Sequence, residues 1–430
     1  MTSAILPARL SNIAAAGGER GARLFVHGIF FSTLILQKFG LVFGRRYFAL
    51  ALPVCILLFA WAALSGKVRI NGRSLTLYGL FLCAALFSAI LVLQAPGGAA
   101  TFSLPSLALL AILYSFFIFE PSPRFDASIV LDIFLNYARV LAALGIFQYG
   151  AQFAGLQISS LSSVMPWLKP FLLESFFNSN AILEYGSNIV RSNGIFLGEP
   201  SSFSQLIVIA ASIEVTVKKQ FKFLPVYGIA YLTSFSGTGL FSLVVAIAAS
   251  ALFSFKNALR LPAIVLAGAG IVAVLAVAAP DVVDRYINRI SEFQSEGSSA
   301  HMRYVAQGRA WSDMIDNGTI LTGNGPGSFD RIYLVNGVST NPVLKFTHDY
   351  GLFAMILGLG LLASTIWLRN HKFISLLYLS IFQLGEGSEL NPCFLVPMIL
   401  VCAWGIKSQD AANVAPAVRA PGIARRMVLS

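Results

Sequence analysis

Charge is what this chain has least of: Asp, Glu, Lys and Arg together make up 11% of 430 residues, against 57% hydrophobic ones. A water-soluble globule of that length needs far more charge to cover its surface. Cysteine is scarce as well. Cys55, Cys83, Cys393 and Cys402 all fall inside apolar runs without C-x-x-C spacing, which argues against a disulfide framework or a thiolate metal site. No pair of His, Cys or carboxylates has metal-ligand spacing. Nothing has the Lys and spacing of a Walker loop. Residues 1–23 are polar and basic and read as a tail rather than a cleavable signal peptide.

Long apolar runs are what the chain does have. About 20 apolar residues span the ~30 Å hydrocarbon core of a bilayer as a helix. Runs of this kind fall at 24–43, 47–64, 75–93, 102–119, 127–153, 201–217, 223–235, 238–255, 261–279, 346–368, 373–384 and 392–406. The short alternating segments of a barrel are missing. The expected fold is all-α, a polytopic membrane bundle of about twelve spans forming one domain over 24–406, with a basic tail at 407–430.

The net charge of +11 suits topology rather than nucleic acid. With the N-terminus inside, Arg9, Arg20, Arg23, Lys67, Arg69, Arg73, Arg124, Lys218, Lys219, Lys222, Lys256, Arg260, Arg369, Lys372 and the basic tail all face the cytoplasm. The opposite turns around Pro96, Gly237 and Gly387 carry no Lys or Arg; only Arg45 and Arg46 disagree. Both termini are then cytoplasmic, and two long segments, 154–200 and 280–345, lie outside. The first contains Trp167, Phe171, Phe176 and Phe177, an aromatic density suited to the membrane interface. In the second, Val283, Tyr286, Ile290 and Phe293 recur at helical spacing and form the apolar face of an amphipathic helix.

Four groups of polar residues are candidates for chemistry. Arg191 and Glu199 flank a glycine-containing turn, and Pro200 opens a helix. An arginine fork there suits phosphate oxygens; alternatively the two charges pair with each other or with loop neighbours. Arg303 and Arg309 lie on a polar helix upstream of Gly323-Asn324-Gly325-Pro326-Gly327-Ser328-Phe329, which reads as a nest of N–H groups or as a plain turn. Asp132, Asn136 and Arg139 share one face of the fifth span, as a functional intramembrane charge or as a structural Asp132–Arg139 link. His348 stands at the mouth of a span, as a hydrogen-bonded helix-end residue or as a catalyst. Lys38 and Glu214, near span ends, are expected to snorkel.

Several of these residues carry a resemblance. Gly145-x-x-Gln148, Arg191-x-x-Gly194-x-Phe196-x-x-Glu199-Pro200-Ser201, the break Ser234-Phe235-Ser236-Gly237-Thr238-Gly239 and the turn 323–329 resemble, in order, motifs of the O-antigen polymerase and ligase superfamily, which includes exopolysaccharide polymerases. The resemblance runs over 137–361. It implies a GT-C-like, metal-independent inverting glycosyltransferase of the bacterial inner membrane, with active-site loops in the periplasm and no cofactor. Its substrates would be undecaprenyl-diphosphate-linked glycans as donor and acceptor, and its partners the lipid bilayer, a chain-length regulator and export machinery.

In that scheme Arg191 and Arg303 stabilise the departing diphosphate, and Glu199 or His348 accepts the acceptor proton. Asn341, Arg309, Arg139 and Gln148 contribute to substrate binding. The ligase branch places a histidine where this chain has Thr340, next to Asn341, which favours polymerase over ligase. A lipid-glycan flippase or other transporter is the alternative from another class. Against it, the candidate residues gather in external loops, and the two halves show no clear repeat.

Overall fold

Asn71, Ser103, Asn341 and Asn391 each start a helix by accepting a first-turn N–H, and in three of these helices proline follows within the first two positions. The computed structural model describes residues 19–43, 46–95, 102–123, 125–158, 161–173, 177, 182–183, 188–253, 301–333, 338, 340–385, 388–408 and 410. The expected span at 261–279, the amphipathic helix at 283–293 and the residues Arg9, Arg45, Pro96, Arg124, Phe176, Lys256, Arg260 and Gly387 lie outside them, as does the basic tail beyond 410.

The described chain is mostly helical. The first apolar run forms α1 (19–30), then loosens into a π turn at Phe31–Ile35 and a 3-10 turn at Leu36–Lys38. Ser32 and Thr33 donate their hydroxyls to the Ile29 carbonyl at 2.9 and 2.8 Å, competing with the helical ladder at the point where it changes. The run does not stay helical to residue 43. It ends in a hairpin, β1 (Gly40–Phe43) with β2 (Arg46–Ala49), so the expected tight turn between two helices is a two-stranded ribbon. Then come α2 (Ala51–Leu64), β3 (Val68–Ile70), α3 (Gly72–Gln94) and α4 (Leu104–Ser115). β4 (Phe119–Pro121) pairs antiparallel with β3.

α5 (Ser128–Ala151), α6 (Pro200–Ile213), α7 (Leu224–Ser234) and α8 (Gly237–Leu252) pack together. α9 (Gln307–Asp316) and α10 (Ser328–Ile332) form a cap with a small core of Ala310, Met314, Phe329, Tyr333, Val338 and Leu344. α11 (Pro342–Ile366) lies along α3; α12 (Lys372–Leu384) lies along α8, and α13 (Pro392–Ile399) follows. Asn341 and Asn391 cap α11 and α13 through their side-chain oxygens, each with proline in the first turn.

Among the described residues, four helical stretches are long and apolar enough to cross a membrane: Gly72–Gln94, Ser128–Ala154, Pro200–Lys218 and Pro342–Ile366. Apolar helices of 10–17 residues lie at Ala51–Leu64, Leu104–Ile118, Gly237–Leu252, Lys372–Leu384 and Pro392–Ile406. Large apolar side chains such as Leu57, Phe87, Ile90, Val140 and Phe353 stay exposed along these helices, as a lipid-facing surface requires. In the main core, Trp404 stacks on Phe25 with ring centroids 5.4 Å apart and meets Phe59 and Phe125 edge-on.

Candidate functional site

Residues 191–199 form a loop whose backbone groups are secured from three directions. From α5, the Gln148 side-chain oxygen accepts from Ser192 Oγ and from the N–H groups of Asn193 and Ile195, at 3.0, 3.1 and 3.2 Å. Its amide nitrogen donates to the Ile158 carbonyl and to Asn193 Oδ1, at 2.9 and 3.1 Å. From the unwound end of α1, Gln37 Oε1 accepts from Gly198 N at 2.9 Å, and Lys38 Nζ donates to the Ile195 carbonyl at 2.7 Å. From α7, the Thr233 carbonyl accepts from Ser192 N at 3.0 Å. Just before the loop, Gln152 exchanges two hydrogen bonds with the backbone of Val190.

Two packing features complete the clamp. Gly145 on α5 lets the Phe203 ring lie against the helix backbone, where any Cβ would overlap it, and its carbonyl accepts from Ser192 Oγ at 2.9 Å. Ile195 sits at φ 69°, a region that a β-branched residue occupies only when its surroundings enforce it. Here its N–H and its C=O are both held.

Arg191 and Glu199 stand half-buried at the two ends of this loop. Glu199 is the N-cap residue of α6, with Pro200 beginning the helix as the sequence indicates, and its Oε2 accepts from Ser201 Oγ at 2.9 Å. Gln148 belongs to the loop, but as its fastener. Both ends of its amide are committed to protein groups, so it is not placed to bind substrate. Lys38 corrects another expectation: it is 0% exposed and points inward, because the unwinding of α1 turns it toward the loop rather than toward solvent.

Arg139 lies nine residues before Gln148, roughly 14 Å along α5 at 1.5 Å per residue, and does not join the loop. Its guanidinium donates to Glu214 Oε1 at 2.5 and 3.1 Å and to Asn136 Oδ1 at 2.8 Å, and lies 4.0 Å from the centroid of the Phe223 ring. Asp132 pairs with Lys218 instead, at 2.5 Å. The expected Asp132–Arg139 link is therefore replaced by two cross-helix pairs between α5 and the end of α6. Glu214 does not snorkel: its side chain is 1% exposed and neutralises Arg139.

The second polar centre gathers around Asp349 on α11. The turn 323–329 is a nest of N–H groups that closes on this carboxylate. Phe329 N and Gly327 N donate to it at 2.9 and 3.0 Å, and Ser328 Oγ at 3.0 Å. Asn324 N and Gly325 N donate to the carbonyls of His348 and Asp349. The turn is thus neither plain nor open to a phosphate, because the protein supplies its own anion. Lys345 bonds Asp330 and lies 3.9 Å from Asp349, so one buried cation joins α10 to α11.

His348 is 1% exposed. Its Nδ1 is 3.1 Å from Ser328 Oγ and 3.2 Å from Asp349 Oδ1, and its ring meets Phe329 and Tyr333 edge-on. That placement makes it a fastener of the turn and not a catalyst at an open mouth. Asn341 caps α11 and bonds Gln307 of α9, a structural post in place of a substrate contact. Arg309 is exposed on α9. Tyr333 donates to Asp313 at 2.6 Å; burial, with that bond, pushes its phenol well up. Arg303 falls in the π turn His301–Val305, and its side chain lies outside the described residues.

Lys38, Lys345, Asp349 and Asp330 escaped the sequence reading or were discounted by it. Their signal was present: Lys345 and Asp349 stand at i and i+4 in a helix that carries few other charges, the spacing of a facing pair. No family model and no curated protein matches the chain.

Proposed function

We propose that this protein is a polymerase that joins undecaprenyl-diphosphate-linked oligosaccharide repeat units into exopolysaccharide or O-antigen at the outer face of a bacterial inner membrane. About twelve spans with both termini cytoplasmic go with this reading. The observation that carries it is the clamped loop 191–199, which holds Arg191 and Glu199 at the ends of an immobilised, partly strained backbone. Strain maintained against the local preference of Ile195 is a mark of a functional site.

In the proposed reaction the acceptor hydroxyl oxygen attacks the anomeric carbon. The bond from that carbon to the diphosphate oxygen breaks, and its electron pair leaves with the diphosphate. Arg191, with Arg303 from the cap segment, stabilises charge that grows as the sugar departs and so favours the transition state over the ground state. Glu199 takes the hydroxyl proton. A chain-length regulator and export machinery are the proposed protein partners.

The test is the carrier-linked glycan profile of a deletion strain carrying the wild-type chain, Arg191→Ala or Arg303→Ala. Each variant is expected to reach the membrane and to lower polymer by at least about a hundredfold, the effect of removing a preorganised charge-stabilising group, while single repeat units accumulate on the outer leaflet. Full-length polymer in the deletion strain overturns the reading. Accumulation on the inner leaflet marks a flippase, and free lipid-linked polymer marks a ligase.

A further inference from the structure

Three side-chain oxygens in one region are buried without a hydrogen-bond partner: Tyr114 Oη, Tyr350 Oη and Glu389 Oε2. They come from α4, from α11 and from the turn Ser388–Leu390 that joins α12 to α13, and all three residues are sealed from solvent. Phe346 bridges the two tyrosines, with ring centroids 5.7 Å from Tyr114 and 6.5 Å from Tyr350. The turn carrying Glu389 packs against α4, α12 and α13. Buried polar groups nearly always find partners, so a sealed carboxyl oxygen without one, within electrostatic reach of two likewise unpartnered phenols, is an exception that calls for a cause.

Charge counting narrows what that cause is. Lys345, Asp330 and Asp349 act electrostatically on Glu389. Lys345 is already shared between Asp330 and Asp349, so the only cation of this group is taken by two carboxylates. α12 and α13 bring Tyr378 and Cys393 and no counter-charge, apart from Lys372 at the opposite end of α12. Among the described residues no three His, Cys, Asp or Glu side chains come together to hold a metal ion. A third carboxylate enclosed here, without a cation of its own, is stable as the neutral acid, which supplies an O–H donor that the ionised form lacks.

We infer that Glu389 forms an internal proton-binding site, its buried carboxyl taking up a proton near neutral pH. Burial, opposed by the Lys345 charge, raises this carboxyl to about 7 from its ordinary 4.5. It is therefore the acid below neutrality and gives up its proton as the pH rises through that value. On ionisation Glu389 competes with Asp330 for Lys345, and Lys345 is the cation that fastens the cap to α11.

Infrared difference spectroscopy of the full chain in lipid nanodiscs, with glutamate carbons isotopically labelled, reads this proton directly. The expected result is a glutamic-acid carbonyl band that disappears with a midpoint near pH 7 and is absent from Glu389→Gln. Should Glu389→Gln fail to fold, Glu389→Asp keeps a carboxyl at the position and is expected to remove the labelled near-neutral band. A glutamate band that titrates only in the ordinary carboxylate range overturns the proposal. So does a near-neutral labelled band that persists in Glu389→Gln or in Glu389→Asp.

Discussion

Gln148 shows how one side chain can organise a loop distant from it in sequence. Its carboxamide gathers two backbone N–H groups and a serine hydroxyl on one end, and a carbonyl and an asparagine on the other. Glutamate at this position keeps the acceptors and loses the donors; alanine loses both. Leaving a buried donor unsatisfied costs about 1–3 kcal/mol. Gln148→Ala is therefore expected to destabilise the protein by about 1–3 kcal/mol, since Asn193 N loses the Gln148 acceptor while Ile195 N keeps Asn193 Oδ1. Thermal unfolding in detergent measures this, and an unchanged midpoint would show that the loop has other sufficient supports. The motif Gly145-x-x-Gln148 was legible in sequence as a resemblance. Its physical content was not, because nothing local in α5 reveals that the amide faces residues 192–195.

At the scale of elements, α11 is two helical pieces joined at Gly351, where φ is 81° and ψ 169°. The break admits the cap: Leu352 N donates to the Ile320 carbonyl at 2.8 Å, and a Cβ at Gly351 would overlap the Leu321 carbonyl oxygen. Gly351→Ala thus combines a left-handed backbone with a steric overlap, at a cost of about 2–4 kcal/mol. Faster proteolysis within 317–327 is the expected outcome, read by limited digestion, and wild-type resistance would refute it. The hydropathy of 346–368 registers this segment as one span, because the kink changes no residue's polarity. α7 and α8 are a contrary case. Their break at Phe235, with φ 43°, falls where the Ser-Gly-Thr-Gly stretch placed it, since turn chemistry is local.

For the molecule as a whole, orientation is the proposal most open to direct test. With Cys83 replaced by serine, single cysteines at Trp167 and Ile315, both well exposed, are expected to react with a membrane-impermeant maleimide in intact cells once the outer membrane is permeable. A cysteine at Lys219, exposed after the π turn that ends α6, is expected to react only after the inner membrane is opened. The reverse labelling pattern would invert the topology and move the loop 191–199 to the cytoplasmic face. Arg45 and Arg46 still stand against the positive-inside pattern on this reading. On this topology the connection is a ribbon on the outer side that Arg46 enters as its first β2 residue.

Composition and periodicity alone determined that the chain is a mostly helical protein with membrane-capable segments, because apolar run length and charge scarcity are properties of the sequence itself. They also located helix starts at Pro200 and the break near residue 236, where capping and turn residues act over a few positions. Only the tertiary structure decided which charges are buried and with whom. Arg139 with Glu214, Lys345 with Asp330, and Asp349 with the glycine turn are partnerships between segments 15 to 75 residues apart. A buried charge selects its partner by three-dimensional proximity in a low-dielectric interior, and linear spacing carries no record of that choice.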